Sequence, residues 1–130
     1  MAYIKYKELT KYFNFNKELN IDDLPTYVTD YFDKGEKAIQ AYRTTRDKGA
    51  FTNKRMILFD VNPISRSKKI HIIPYSSISS GAIRFNLNTA SILFSFESGY
   101  QMELKFIQLD SKGKTELRKL FTYIMNNIKD

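Results

Sequence analysis

The chain contains no cysteine, a single histidine and only three prolines. Without cysteine, disulfides and thiolate-ligated metal sites are excluded, which fits a reducing compartment. The lone histidine, His71, lies in a strand pattern with no acidic cluster beside it. No base–nucleophile pair can be assembled around it, and it reads as a structural residue. There is no G-x-x-x-x-G-K-[ST] phosphate loop. Nor does any run approach the roughly 18 consecutive apolar residues of a membrane-spanning helix. The first eight residues, Met1 to Glu8, lack the apolar core of a secretory leader, so the expected compartment is the cytoplasm. Glu97 and Glu103 flank the Ser98-Gly99 turn and read as a surface ladder rather than an acid–base pair. Asp22-Asp23 suits helix capping better than metal ligation. No catalytic residue, metal site or cofactor is expected.

What is present describes an ordinary globular chain. Its 130 residues suggest one domain with a core that needs no covalent staples. Hydrophobic residues make up 42% and charged residues 27%, a balance that argues against disorder. The formal net charge of +7 is unevenly spread. Residues 1–35 carry 5 basic and 6 acidic side chains, residues 36–110 carry 11 and 6, and residues 111–130 carry 5 and 2. The positive charge therefore belongs to the body of the protein and permits attraction to phosphates or an anionic membrane.

Residues 1–35 form an aromatic-rich lead segment, and residues 36–130 form the expected domain. Tyr6, Leu9 and Phe13 recur at helical spacing. A second helix is expected from Ile21 or Asp22 to Phe32, with Pro25 in its first turn, Gly35 as its stop, and Leu24, Val28 and Tyr31 or Phe32 as its buried face. Such a stripe must pack on the chain's own sheet or on another subunit. From Glu36 the period changes to two. Ala38 to Thr45 begins the strands. Ala50-Phe51-Thr52, Asn53-Lys54 and Arg55 to Phe59 read as strand, turn, strand, with Asn53 suited to a left-handed turn position. The continuous apolar run Met56 to Phe59 predicts a strand covered on both sides. A loop over 60–67 follows, then a strand that Pro74 must end or hold at an edge. Beyond a bend at 75–81, Ile83, Phe85 and Leu87 continue a strand. Ile92, Phe94 and Phe96 form another, and Tyr100, Met102, Leu104 and Phe106 a last one of well-specified register. Asp110 or Ser111 then caps a helix reaching about Ile128, with Leu117, Leu120, Phe121, Ile124 and Ile128 on one face.

Gly35-Glu36, Arg46-Asp47, Phe51-Thr52-Asn53-Lys54-Arg55-Met56-Ile57, Lys68-Lys69 and Ile73-Pro74-Tyr75-Ser76-Ser77-Ile78 together resemble the bacterial pleckstrin-homology-like (PH-like) domain family. The resemblance covers about residues 19–128 and is densest from Gly35 to Ile78. It implies a mainly β (α+β) fold: a bent partial barrel of about seven antiparallel strands capped by a C-terminal helix, here with a short helical lead. It also implies homo-oligomerisation, with a pentameric ring as the first expectation, and no enzymatic activity.

One constellation is a candidate site. Arg43, Arg46, Lys48, Lys54 and Arg55 lie near the first strands and their turns, where charge-assisted hydrogen bonds could hold a phosphate. The resemblance points the same way, since PH domains that bind phosphoinositides hold the headgroup with basic residues near the first hairpin. Against this, Arg46 and Arg55 would serve equally well by pairing with Asp47 or Asp60 to fix turns. The expected function is a non-enzymatic interaction or self-assembly module, with itself or another protein as partner. The alternative is a domain that binds an anionic membrane surface or phosphate headgroup. Nucleic acid is disfavoured, because no helix is strongly basic and no aromatic platform interleaves with arginines.

Overall fold

A computed structural model describes residues 11–15, 17–19, 21–43, 48–61 and 64–128. The chain divides into two compact units. One is Phe15–Pro74, and the other is built on the residues from Tyr75 onward together with the N-terminal strand.

The first unit is a five-stranded antiparallel meander: β2 (Lys17–Leu19), β3 (Ala38–Arg43), β4 (Lys48–Thr52), β5 (Arg55–Val61) and β6 (Lys68–Pro74), in that order across the sheet. Between β2 and β3 the chain makes a 3-10 turn at Ile21–Asp23 and a one-turn helix, α1 (Thr26–Thr29). Pro25 does not sit inside the first helical turn. It precedes the helix in an extended conformation, and its carbonyl accepts from the Val28 and Thr29 N–H groups. No side chain caps this helix. Thr26, Val28 and Thr29 are β-branched and shorten it. Bonds from Tyr31 N–H to the Val28 carbonyl and from Phe32 N–H to the Thr29 carbonyl carry a tightened turn to Phe32, so the expected helix is present as linked single turns. Gly35 then reverses the chain at φ +78°.

This helical segment packs on its own sheet. Val28 is fully buried in one cluster with Ala50, Ile57 and Phe59, and Leu24, Phe32 and Ile70 border it. Met56 and Leu58, on the opposite face of β5, are also inaccessible to solvent. The apolar run of β5 is therefore covered on both sides, as its sequence predicts. The β4–β5 turn differs from expectation, because Asn53 is not left-handed. Its Oδ1 instead accepts the Lys37 N–H at 2.9 Å, and its own N–H bonds the Lys37 carbonyl at 3.0 Å. The next loop is shorter than predicted, since Val61 still pairs with Lys68, and Arg66 takes the left-handed position within it. Pro74 is the last residue of β6, which is an edge strand.

The second unit holds a four-stranded sheet in the order β1 (Lys11–Phe15), β9 (Gln101–Phe106), β8 (Ala90–Phe96), β7 (Ile78–Phe85), together with α2 (Ser111–Met125). A 3-10 turn at Tyr75–Ser77 leads into β7, which bulges between Ile78 and Ser80. Leu87 does not extend β7. It stands at the β7–β8 turn, 91% exposed. The β9 alternation holds for Met102, Leu104 and Phe106, which are buried, while Tyr100 stands just before the strand and is half-buried. Asp110 caps α2 by accepting the Gly113 N–H at 2.7 Å. The helix buries Leu117, Leu120 and Ile124, stacks Phe121 on Phe94, and ends at Met125, three residues before Ile128. It lies so close to β7 that a Cβ on Gly81 would stand 2.9 Å from Met125 Sδ and 3.1 Å from Phe94 Cδ1.

Seven strands thus run from Ala38 to Phe106 and are followed by the C-terminal helix. Among the described residues the strands fall into two separate hydrogen-bonded sheets. The lead segment departs from the helical reading. Tyr6 and Leu9 lie outside the described residues, but Phe13 falls in a strand, and β1 and β2 add one edge to each sheet. Phe13 and Phe15 alternate with Asn14 at period two, and these aromatic β-formers suit a strand as well as Phe13 suits a helical stripe.

Candidate functional site

The five basic residues of the sequence motif are not one cluster. β4 places Lys48 at one end, and Lys54 and Arg55 follow its other end. Four steps of strand separate Lys48 from Thr52 by about 13 Å at the usual rise. Arg46 lies outside the described residues.

At the Thr52 end the cations are consumed by acids. Glu36, which Gly35 delivers to the start of the sheet, has a completely buried side chain. Arg55 grips it with two nitrogens, Nη2 to Oε1 at 2.9 Å and Nε to Oε2 at 3.1 Å. The same guanidinium reaches the Tyr31 carbonyl at 2.7 Å. The Thr52 hydroxyl donates to Glu36 Oε2, and the Asp33 N–H donates to Oε1 at 2.7 Å. The Thr52 oxygen in turn accepts the N–H groups of Lys54 and Arg55, both at 3.0 Å. Lys54 Nζ stands 3.4 Å from Asp33 Oδ2. Burial pushes the Glu36 carboxyl upward, but the hydrogen bonds from Arg55, the Asp33 N–H and Thr52 outweigh it and hold the group below the ordinary glutamate value. Asp33 is lowered too, first by the Lys34 N–H and then by Lys54. Both carboxylates are satisfied from within the chain. The Gly35-Glu36 and Thr52-Asn53-Lys54-Arg55 motifs are therefore two halves of one structural clasp, in which Arg55 pairs with Glu36; Asp47 lies outside the described residues.

At the Lys48 end the opposite holds. The strand register sets Arg43 directly opposite Lys48, and Lys17 of β2 directly opposite Arg43. Opposed residues share a face, so three basic positions run in a row across three neighbouring strands. Phe59 and Ile70 continue that row, and Lys68, two residues before Ile70 on the same face of β6, comes near it. Its Nζ lies 4.6 Å from the centre of the Tyr27 ring, and Lys48 Nζ approaches the same ring at 5.7 Å. Tyr27 meets Phe59 edge-on at 5.6 Å and remains 41% exposed, with Tyr31 beside it against the same phenylalanine. Among the described residues, no carboxylate forms an ion pair with Arg43, Lys48 or Lys68. The sequence pointed to Arg43 and Lys48 but not to Tyr27 or Lys68. Only the register and the docking of α1 bring those together.

Glu103 faces Arg84 at 3.9 Å across the second sheet. His71 lies within β6, opposite Leu58. Among the described residues, no three His, Cys, Asp or Glu side chains are grouped to hold a metal ion, and no helix is long and apolar enough to cross a membrane.

The model of the bacterial PH domain family matches residues 9–128. The chain belongs to that family. Among curated proteins, the uncharacterized protein YozO of Bacillus subtilis (strain 168) is 32% identical over 74 residues, which is 54% of this chain and 65% of that one. This bacterial PH domain thus aligns with just under two thirds of that relative's length. Among solved structures it is similar to a DUF1696 family protein with a pleckstrin-homology domain from Shewanella loihica PV-4 (TM-score 0.67, 25% identity, 88% of this chain and 98% of that one). A PH-domain-containing protein from Exiguobacterium sibiricum 255-15 shares the fold at TM-score 0.69 and 17% identity, covering 88% of this chain and 62% of that one. The pleckstrin homology domain of Shewanella amazonensis SB2B does so at 0.59 and 20%, covering 88% and 92%.

Proposed function

We propose that the protein is a non-enzymatic binding module whose ligand is a phosphate-bearing anion, held where Arg43, Lys48, Lys68 and Tyr27 lie on the face of the five-stranded sheet that carries α1. The observation that carries this reading is the register pair Arg43–Lys48. Like charges set directly opposite each other destabilise a sheet. In the clasp the chain supplies a carboxylate for each cation, and in the row it supplies none among the described residues. A bound phosphate would bridge the two cations with charge-assisted hydrogen bonds. Tyr27 gives the lysines an aromatic face that orients them without neutralising them.

A lipid headgroup and a soluble phosphate offer this site the same chemistry. Titration with inorganic pyrophosphate, alongside co-sedimentation with phosphatidylcholine vesicles with and without phosphatidylglycerol, separates the two sources. Pyrophosphate binding that Lys48→Glu abolishes supports a soluble ligand. Binding only to the anionic vesicles, lost in the same variant and weakened by salt, supports a membrane surface. Failure of both at low salt overturns the reading, because electrostatic attraction is strongest there.

Self-association is a second reading. The apolar stripe Leu24–Val28–Phe32 is spent on the chain's own sheet, so it no longer argues for a docked subunit. One specific observation favours this reading by a different route: among the described residues, no strand pairs with the outer edge of β7.

A further inference from the structure

We propose that Arg55 is a positioning residue for the anion site: through its bond to the Tyr31 carbonyl it seats the α1 segment, and thereby fixes the Tyr27 ring against which Lys48 and Lys68 are aligned. This rests on the phosphate reading above. It extends that reading to a residue four steps of β5, about 13 Å, from the Phe59 that Tyr27 touches.

The clasp and the basic row lie at opposite ends of one face. The register sets Lys48 opposite Phe59 and Ala50 opposite Ile57, and Arg55 follows on the same side of β5. The α1 segment bridges the two ends. Tyr27 reaches the row, where Lys68 Nζ lies 4.6 Å and Lys48 Nζ 5.7 Å from its ring centre. Tyr31, four residues on, reaches the clasp, where its carbonyl accepts from Arg55 Nη2 at 2.7 Å. Val28 between them is buried with Ala50, Ile57 and Phe59. Both tyrosine rings meet Phe59 edge-on, as the i, i+4 spacing of one helical turn allows.

This segment cannot hold its own geometry. α1 is four residues long, has no side-chain cap, and continues only as linked single turns. A helix of that length is not stable in water by itself, so the sheet sets its place. Burial of Val28 draws the turn down, but apolar burial is non-directional and lets the turn roll about its axis. The Arg55 bond is directional, and rolling breaks it. The guanidinium cannot follow the roll. Glu36, completely buried, holds its Nη2 at 2.9 Å and its Nε at 3.1 Å, and the Thr52 hydroxyl holds Glu36 Oε2 in turn. Lys54 Nζ, 3.4 Å from both Asp33 Oδ2 and the Lys34 carbonyl, secures the chain beyond the turn rather than the turn itself. A roll that frees Tyr31 also tilts Tyr27 and takes both lysines out of alignment.

Arg55→Lys keeps a charge beside Glu36, but one ammonium cannot span two carboxylate oxygens and the Tyr31 carbonyl. It should weaken pyrophosphate binding about tenfold. Thr52→Val loosens the clasp without removing the bond from Arg55 to Tyr31, so it should lower the urea midpoint and leave the affinity unchanged. A merely structural role predicts affinity falling with stability in both variants. Arg55→Lys combined with Tyr27→Leu should bind no more weakly than Tyr27→Leu alone, although residues this far apart ordinarily act additively. Glu36→Gln/Arg55→Met, which leaves no unmatched buried charge, takes the place of Arg55→Lys if that variant does not fold. The chain has no tryptophan, so Tyr27→Trp adds a single fluorophore at the ring position. In that background Arg55→Lys should shift the emission to the red with no anion present, and Thr52→Val should not. An unchanged emission, or additive losses in the double variant, overturns the proposal. A red shift in a protein whose wild type binds neither pyrophosphate nor phosphatidylglycerol vesicles overturns the phosphate reading instead, and leaves Arg55 setting the place of Tyr27.

Discussion

Arg55 and Glu36, nineteen positions apart, hold each other through two parallel hydrogen bonds at 2.9 and 3.1 Å, with the carboxylate wholly buried. A buried acid in this position is stabilising only while its partners remain, since an unmatched charge away from water costs far more than the pair contributes. Arg55→Met should therefore destabilise the fold by about 3 kcal/mol, measured by urea unfolding. Glu36→Gln should cost less, because the amide oxygen keeps one acceptor for the Asp33 N–H.

The same pair gives stability a pH dependence of known sign. The folded Glu36 carboxyl titrates below its unfolded value of about 4.3. Its contribution is complete above that value and is lost as pH falls through the lower folded value. Asp33 acts in the same direction. Wild type and Glu36→Gln should differ most near neutrality and converge in acid, and denaturant titrations across this range check it.

Gly81→Ala should destabilise by about 1 kcal/mol. The added methyl meets Met125 Sδ at 2.9 Å, at the far end of a flexible side chain, and Phe94 Cδ1 at 3.1 Å in a ring that moves less easily. Adding Met125→Ala should recover part of the loss, so thermal melts of the single and double variants should be non-additive.

Charge reversal in the basic row should separate stability from binding. Lys48→Glu replaces a repulsive register pair by an attractive one, and the fold should gain about 0.5 kcal/mol. The same variant should lose the anion. A loss of stability instead would mean that the contact of Lys48 with the Tyr27 ring outweighs its repulsion from Arg43.

Removal of the α2 cap, Asp110→Ala, should cost about 1 kcal/mol, because the Gly113 N–H loses its acceptor. Asp110→Asn should restore most of it, which chemical denaturation can show.

Much of the fold was legible because a single period dominated each element. Met102, Leu104 and Phe106 alternate too cleanly to be anything but a half-buried strand, and Leu117, Leu120 and Ile124 fall on one helical face. The Phe13 region was not legible, because its aromatics satisfy both periods and only pairing in the sheet decides between them. Leu87 continued the alternation of Ile83 and Phe85 on paper, but Asn86 N–H bonds the Thr89 carbonyl and turns the chain first. The partners of the candidate cations were not legible for a related reason. Charge is visible in sequence, but its partner is not. Nothing local links Arg55 to Glu36, or Tyr27 to Lys68, until the meander sets the register. The Gly35-Glu36 motif carried the available signal, an acid fixed beside a left-handed glycine.

The two sheets differ in how far along the chain each bond must reach. In the five-stranded sheet every strand pairs with its neighbour in sequence, and from β3 to β6 the strands can zip up by closing short loops. In the other sheet, β1 must find β9 across roughly 90 residues, the costliest closure in the molecule. The N-terminal strand should therefore be the last element to join during folding and the first to peel away under mechanical load. In amide exchange its protection should lag that of β4 and β5, although it sits in the same sheet as the well-buried β8 and β9.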